Sequence, residues 1–135
     1  MKRIILPVSV FLFLFLPGFA SAETVITSSI FTDTVWAKDA SPYIIRGDIE
    51  VETSATLTIQ PGVVVKFGRD VYGGDHYLFV KGGFVINGLP EDKVYFTTID
   101  DDLSGNDPEG YYNWLILLQS PNNVSISNAV FSHFY

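Results

Sequence analysis

The sequence predicts an all-β solenoid, and three observations carry that reading. No stretch after residue 22 shows a convincing helical period, while β-branched and aromatic residues are dense and Gly, Pro, Asn and Asp recur at short intervals. Short apolar runs alternate with polar residues at the two-residue period of a strand that has one wet face. Finally, "LTIQPGVVV" (57–65) and "LFVKGGFVI" (78–86) superpose without a gap at an offset of 21 residues. Stacked solenoid coils need a period of that size, because each coil buries its inner face only against its neighbours.

The first 22 residues stand apart. Lys2 and Arg3 precede an apolar run from Ile4 to Leu16, then Pro17-Gly18 and the small-x-small site Ala20-Ser21-Ala22. That is the layout of a secretory signal peptide, and the run is shorter than the roughly 20 residues that span a bilayer. Cleavage after Ala22 leaves a chain starting at Glu23 with six Lys+Arg against 15 Asp+Glu, a formal charge of −9. The chain is expected to be secreted, extracellular or periplasmic, with no stable membrane span. With no clustered basic residues, nucleic acid is an unsuitable partner. Cys is absent, so no disulfide supplements the core of this exported chain.

Beyond the leader, "YIIRGDIEVET" places Ile45, Gly47, Ile49 and Val51 inward and Arg46, Asp48, Glu50 and Glu52 on a wet face. "ATLTI" continues with Leu57 and Ile59 inward, and Val63, Val65 and Phe67 point inward after Pro61-Gly62. Pro61 cannot donate to a ladder and Gly62 tolerates unusual dihedrals, so the pair reads as a corner between two walls of one coil. The offset of 21 makes Gly83 the same corner one coil on. "KVYFTT" and "NVSISNAVF" extend the pattern through Val94, Phe96, Val124, Ile126, Ala129 and Phe131. A sandwich of hairpins competes. It calls for two-residue Asn-Gly or Asp-Gly connections, and Asn87-Gly88 is followed by "LPEDK" rather than by a strand.

Residues 34–67, "TVWAKDASPYIIRGDIEVETSATLTIQPGVVVKF", resemble the opening of secreted right-handed parallel β-helix proteins of the pectate-lyase-like superfamily. "LFVKGGFVING" is similar to the second coil of such proteins and "KVYFTT" to the strand that follows it. The resemblance implies an N-terminal cap at 23–43 and about three coils over 44–135, interrupted by an acidic loop at 99–112. Leu115 and Ile116 replace the Gly that often follows the Trp in that family, which leaves the inward register there open. No C-terminal cap is recognisable, so the chain is expected to be the N-terminal part of a longer protein or a truncated reading frame, with an uncapped coil end open to self-association. The family hosts lyases, hydrolases, adhesins and structural segments, so the fold alone assigns no activity.

"TTIDDDLSGNDPEGYYN" (97–113) is the most polar stretch. Asp100, Asp101, Asp102, Asn106 and Asp107 offer closely spaced oxygen ligands, with Gly105 and Gly110 for sharp turns, as Ca²⁺ requires. The spacing departs from the EF-hand pattern, and a solvated acidic loop is the competing reading. Consecutive carboxylates on a loop suit glycoside hydrolysis poorly, since that chemistry needs two groups at a defined separation. No catalytic residue is assigned. Arg46, Lys66, Arg69 and Lys81 match a lyase base only by type. His76 follows Asp75 at a Gly73-Gly74 loop tip and reads as a surface residue; His133 has no role from sequence. Tyr111, Tyr112 and Trp114 follow the acidic loop, and outward Phe79 and Tyr95 lie on nearby coils. Such rings stack on the apolar faces of sugars, against the alternative that Trp114 packs inward at the start of its coil.

These observations predict a non-catalytic exported scaffold or surface module that binds polysaccharide or a cell-surface glycan, with calcium as the one candidate ion. The alternative is the N-terminal part of a polysaccharide lyase or glycoside hydrolase whose catalytic residues lie outside this chain.

Overall fold

A computed structural model describes residues 22–69, 74, 76–103, 114–117 and 124–134. The segment expected as a signal peptide, but for Ala22, lies outside them. Twelve short strands follow one another: β1 (Thr24–Ile26), β2 (Thr34–Trp36), β3 (Tyr43–Ile45), β4 (Ile49–Val51), β5 (Thr56–Ile59), β6 (Val64–Phe67), β7 (Tyr77–Val80), β8 (Gly83–Asn87), β9 (Val94–Thr98), β10 (Trp114–Leu117), β11 (Val124–Ser127) and β12 (Ala129–Phe131). A single turn of 3₁₀-helix, Lys38–Ala40, joins β2 to β3.

The strands form three sheets, and every strand ladder is parallel. Sheet A has the order β1-β3-β6-β9-β12, sheet B β4-β7-β10 and sheet C β2-β5-β8-β11. From β3 onward the chain visits A, B and C in strict rotation, so each return lays a strand on the one deposited a coil earlier. This is a parallel β-solenoid. The segment expected as a cap supplies the first strands of sheets A and C, and Ile30 makes a parallel bridge to Val51 of sheet B.

The core is the stack of inward residues that the alternation selects. Ile45, Ile49, Val51, Leu57, Ile59, Val63, Val65, Leu78, Val80, Phe84, Ile86, Val94 and Phe96 are all fully buried in one cluster. Each such side chain is stabilised by about 1.5–3 kcal/mol relative to exposure. In-register stacking places apolar on apolar: Ile59 on Ile86, Leu57 on Phe84, Val65 on Phe96. Phe84 and Phe96 meet edge to face across the interior, centroids 6.4 Å apart, and Phe96 stacks on Phe131 at 4.8 Å. Trp36 closes the other end, stacked at 4.7 Å on Tyr43, whose hydroxyl accepts from Ala37 N and donates to Ala37 O.

Two expectations are corrected. "YIIRGDIEVET" is two strands, because the chain turns at 46–48 from sheet A to sheet B; the alternation survives because the corner preserves the inward parity of Ile45 and Ile49. The offset of 21 also fails as the coil repeat. Leu57 pairs with Phe84 and Ile59 with Ile86, an offset of 27, while Leu78 pairs with Ile49 and Leu115. Pro61-Gly62 turns sheet C into sheet A, whereas Gly82 lies between β7 and β8, where sheet B becomes sheet C. The two segments look alike because consecutive corners use the same strand-Gly-strand chemistry.

Two glycines, Gly62 and Gly82, answer to the chain packed against them. Gly62 has φ 73°, and its N–H donates to Asp92 O at 3.0 Å. Lys38 Nζ reaches past it to the Asp92 carboxylate at 2.7 Å, so a Cβ at 62 would strike both partners of that bridge. Gly82 lies directly against the carbonyls of Glu52 and Ala55, in the preceding corner between sheets B and C.

Candidate functional site

The outer face of sheet B gathers most of the functional chemistry among the described residues. β4 and its flanks carry Asp48, Glu50 and Glu52 outward, because Ile49 and Val51 are committed to the core. One strand away, β7 buries Leu78 and Val80 and turns Tyr77 and Phe79 outward, half-buried. Their rings stack at 5.5 Å with 23° between planes. Parallel register sets Glu50 beside Phe79, and Tyr77 N donates to Asp48 Oδ1 at 3.2 Å. An acidic row and an aromatic row therefore run side by side, about 4.8 Å apart.

Lys81, just beyond β7, reaches back to Glu50 Oε2 at 2.5 Å. That hydrogen bond holds the Glu50 carboxyl below the usual carboxylate range and the Lys81 ammonium above the usual lysine range. The backbone of Glu50 is fixed from the other side, its N–H donating to Ser29 Oγ at 3.0 Å. His76 is 14% exposed, with Nδ1 3.9 Å from Asp48 Oδ1. It is thus a largely covered residue facing the preceding coil, not the surface residue at a loop tip that its neighbours Gly73, Gly74 and Asp75 suggest. Coil stacking brings Asp48 to it, an association no local spacing encodes.

The aromatic candidates separate. Tyr95 lies on the outer face of sheet A, in register with Val64 and Val130, away from Phe79. Tyr111 and Tyr112 lie outside the described residues. Trp114 pairs in register with Tyr77, and Leu115 with Leu78, so the inward position of β10 is Leu115, which packs against the core.

Of the acidic candidates, Asp100 and Asp101 make contacts within the fold. Asp100 Oδ2 pairs with Arg69 at 2.8 Å. Asp101 is 3% exposed; its carboxylate accepts from the Thr97 hydroxyl and from Leu103 N, the latter at 2.7 Å. Lys66 Nζ donates to Asp101 O at 2.5 Å, and Thr97 Oγ1 lies 3.4 Å from His133 Nδ1. These contacts fasten the start of the acidic loop to the outer face of sheet A, beside the outward but fully buried Ile44. Asp102 is exposed, and Asn106 and Asp107 lie outside the described residues. Among the described residues no three His, Asp or Glu side chains converge as a metal site would require.

Sequence reasoning missed Tyr77 and the Glu50–Lys81 pair. The signal for Tyr77 was present, since it lies two residues before Phe79 in one alternating strand. The ion pair joins residues 31 apart in the chain and needs the coil register to be seen.

Fold and face together define a parallel β-solenoid with a charged, aromatic outer wall. Comparison with protein-family models, curated proteins and solved structures returns no match.

Proposed function

We propose that this chain is an exported, non-catalytic module that binds carbohydrate on the outer face of sheet B. In this reading the three sheets are the walls of a right-handed β-helix of the pectate-lyase-like kind, with residues 23–43 as its cap and about three coils after it. The observation that carries the proposal is the stacked Tyr77–Phe79 pair set one strand from Asp48, Glu50 and Glu52. Aromatic faces take the C–H side of a pyranose ring, and adjacent carboxylates accept from its hydroxyls. Binding of this kind needs a rigid wall and no proton transfer, which suits a face whose Glu50 and Lys81 are already engaged with each other.

The test is affinity electrophoresis of the exported protein through gels holding neutral, amino-sugar and uronate polysaccharides. Retardation by at least one of them, with no release of reducing or unsaturated ends, is expected. Phe79→Ala should weaken retardation about tenfold, the loss of one aromatic stacking contact, while Tyr95→Ala on sheet A should leave it unchanged. Absence of retardation in every gel refutes the binding reading, and release of chain ends replaces it with a lyase or hydrolase.

A further inference from the structure

The charges around the Tyr77–Phe79 pair bear on which sugar this face accepts, granted the carbohydrate-binding reading above. Three carboxylates, Asp48, Glu50 and Glu52, project from one line of the wall. The cation that comes among them, Lys81, is taken by Glu50 at 2.5 Å. Arg46 lies at the corner before β4, its side chain against Gly68, and Arg69 is paired with Asp100. Asp48 is 60% exposed on its side chain, and its neighbour His76 is largely covered. The face thus presents Asp48 and Glu52 as carboxylates in excess of the lysine available to them.

A polyuronate laid along the aromatic row brings a carboxylate on each ring toward that line, and like charges repel. A chain of amino sugars brings ammonium groups instead. The strand spacing of about 4.8 Å is close to the width of one pyranose ring, so a ring stacked on Phe79 carries its substituents over the acidic row. We infer that the sheet B face takes amino-sugar glycans, their ammonium groups against Asp48 and Glu52 and their rings on Tyr77 and Phe79, and that it rejects polyuronates. The acidity of the exported chain as a whole works in the same direction but is not local, and the test below separates the two.

Calorimetric titration of the exported protein with three tetrasaccharides, of glucosamine, glucose and galacturonate, reads the discrimination directly. At about pH 6 and about 10 mM salt, where the screening length is about 30 Å, the glucosamine chain is expected to bind about tenfold tighter than the glucose chain. The galacturonate chain should bind more weakly than either. Asp48→Asn with Glu52→Gln should bring the glucosamine affinity down to that of the glucose chain, and Asn at 48 can still accept from Tyr77 N. Glu23→Gln with Glu91→Gln removes the same net charge elsewhere and should preserve the preference. Galacturonate binding as tight as glucosamine, a preference that survives the first double variant, or one that falls equally in the second, overturns the inference. Glucose-chain binding with no glucosamine preference overturns the inference alone, whereas binding of none of the three removes the carbohydrate reading with it.

Discussion

Gly82→Ala tests whether corner stacking, rather than strand pattern, holds these coils together. A Cβ at position 82 would lie closer to the carbonyl oxygens of Glu52 and Ala55 than the 3.0 Å that real Cβ atoms respect. Both obstacles are backbone, so relief requires the corners to part. Parting them strains three hydrogen bonds that tie this corner to the one before it: Lys81 N to Val51 O at 2.9 Å, Gly82 N to Val51 O at 3.1 Å, and Gly83 N to Ala55 O at 2.9 Å. Losing one or two of these costs about 0.5–1.5 kcal/mol each, on top of about 1–3 kcal/mol of overpacking. The expected total is about 3 kcal/mol, or roughly 12 °C or more in Tm for a domain of this size. Gly47→Ala is the internal control. Its Cβ would meet Thr27 O at 3.9 Å and Ile49 Cδ1 at 4.0 Å, ordinary contacts, and Ala restricts the unfolded chain, so the change should be neutral or stabilising by up to about 1 kcal/mol. Urea unfolding followed by circular dichroism measures both. Two variants within about 0.5 kcal/mol of each other would refute the stacking argument.

Phe84→Ala should cost about 3–5 kcal/mol in the same assay, since the ring is fully buried, stacks in register on Leu57 and meets Phe96 edge to face. Asp101→Ala strips partners from the Thr97 hydroxyl and Leu103 N, and about 1–3 kcal/mol for each group left unsatisfied is expected, with faster proteolysis after residue 99 as a local readout. Tyr43 is pushed above the ordinary tyrosine range by burial, so one tyrosine should ionise late in an ultraviolet pH titration and vanish from it in Tyr43→Phe; because the folded pKa is raised, its contribution to stability is present below the unfolded value and fades as pH rises through the folded one. For Glu50 the sign reverses: its carboxyl is held low by Lys81, so the stabilisation is present above the unfolded carboxylate pKa and is lost as pH falls through the folded one. A carboxyl ¹³C titration should show its midpoint move back up in Lys81→Met.

The wall residues were legible in the sequence because burial on one face of a strand leaves a two-residue rhythm. Leu57, Ile59, Val63, Val65 and Phe67 could be placed in the core by alternation, and Pro61-Gly62 could be placed at a corner by dihedral chemistry alone. Coil register was not legible. Corners between different walls use the same small residues, so "LTIQPGVVV" matched a segment one wall out of phase, and the chain at 68–76 lengthens the true repeat beyond the apparent one. The site followed the same division. Glu50 and Phe79 could be assigned to outer faces one at a time, but their adjacency, the Glu50–Lys81 bond and the approach of Asp48 to His76 exist only once strands are stacked in register. For Asp101 the sequence suggested a ligand; the fastening its carboxylate makes to the Thr97 hydroxyl, four residues before it on the outer side of β9, was not legible.

The corners of this solenoid also differ in how much chain they tolerate. Between sheets A and B the connections lengthen from 46–48 to 68–76 to 99–113, while strands on both sides keep strict parallel register. Those from C to A stay short, 60–63, then 88–93, then Asn128 alone. The steady growth is therefore at the seam between sheets A and B. Closing a flexible loop of fifteen residues rather than three costs only about 1.5 kcal/mol in chain entropy, so that seam is where foreign sequence can be spliced in with the least disturbance to the stack. The edge facing it, where Lys38, Gly62 and Asp92 interlock, is where an insertion would pull the coils apart.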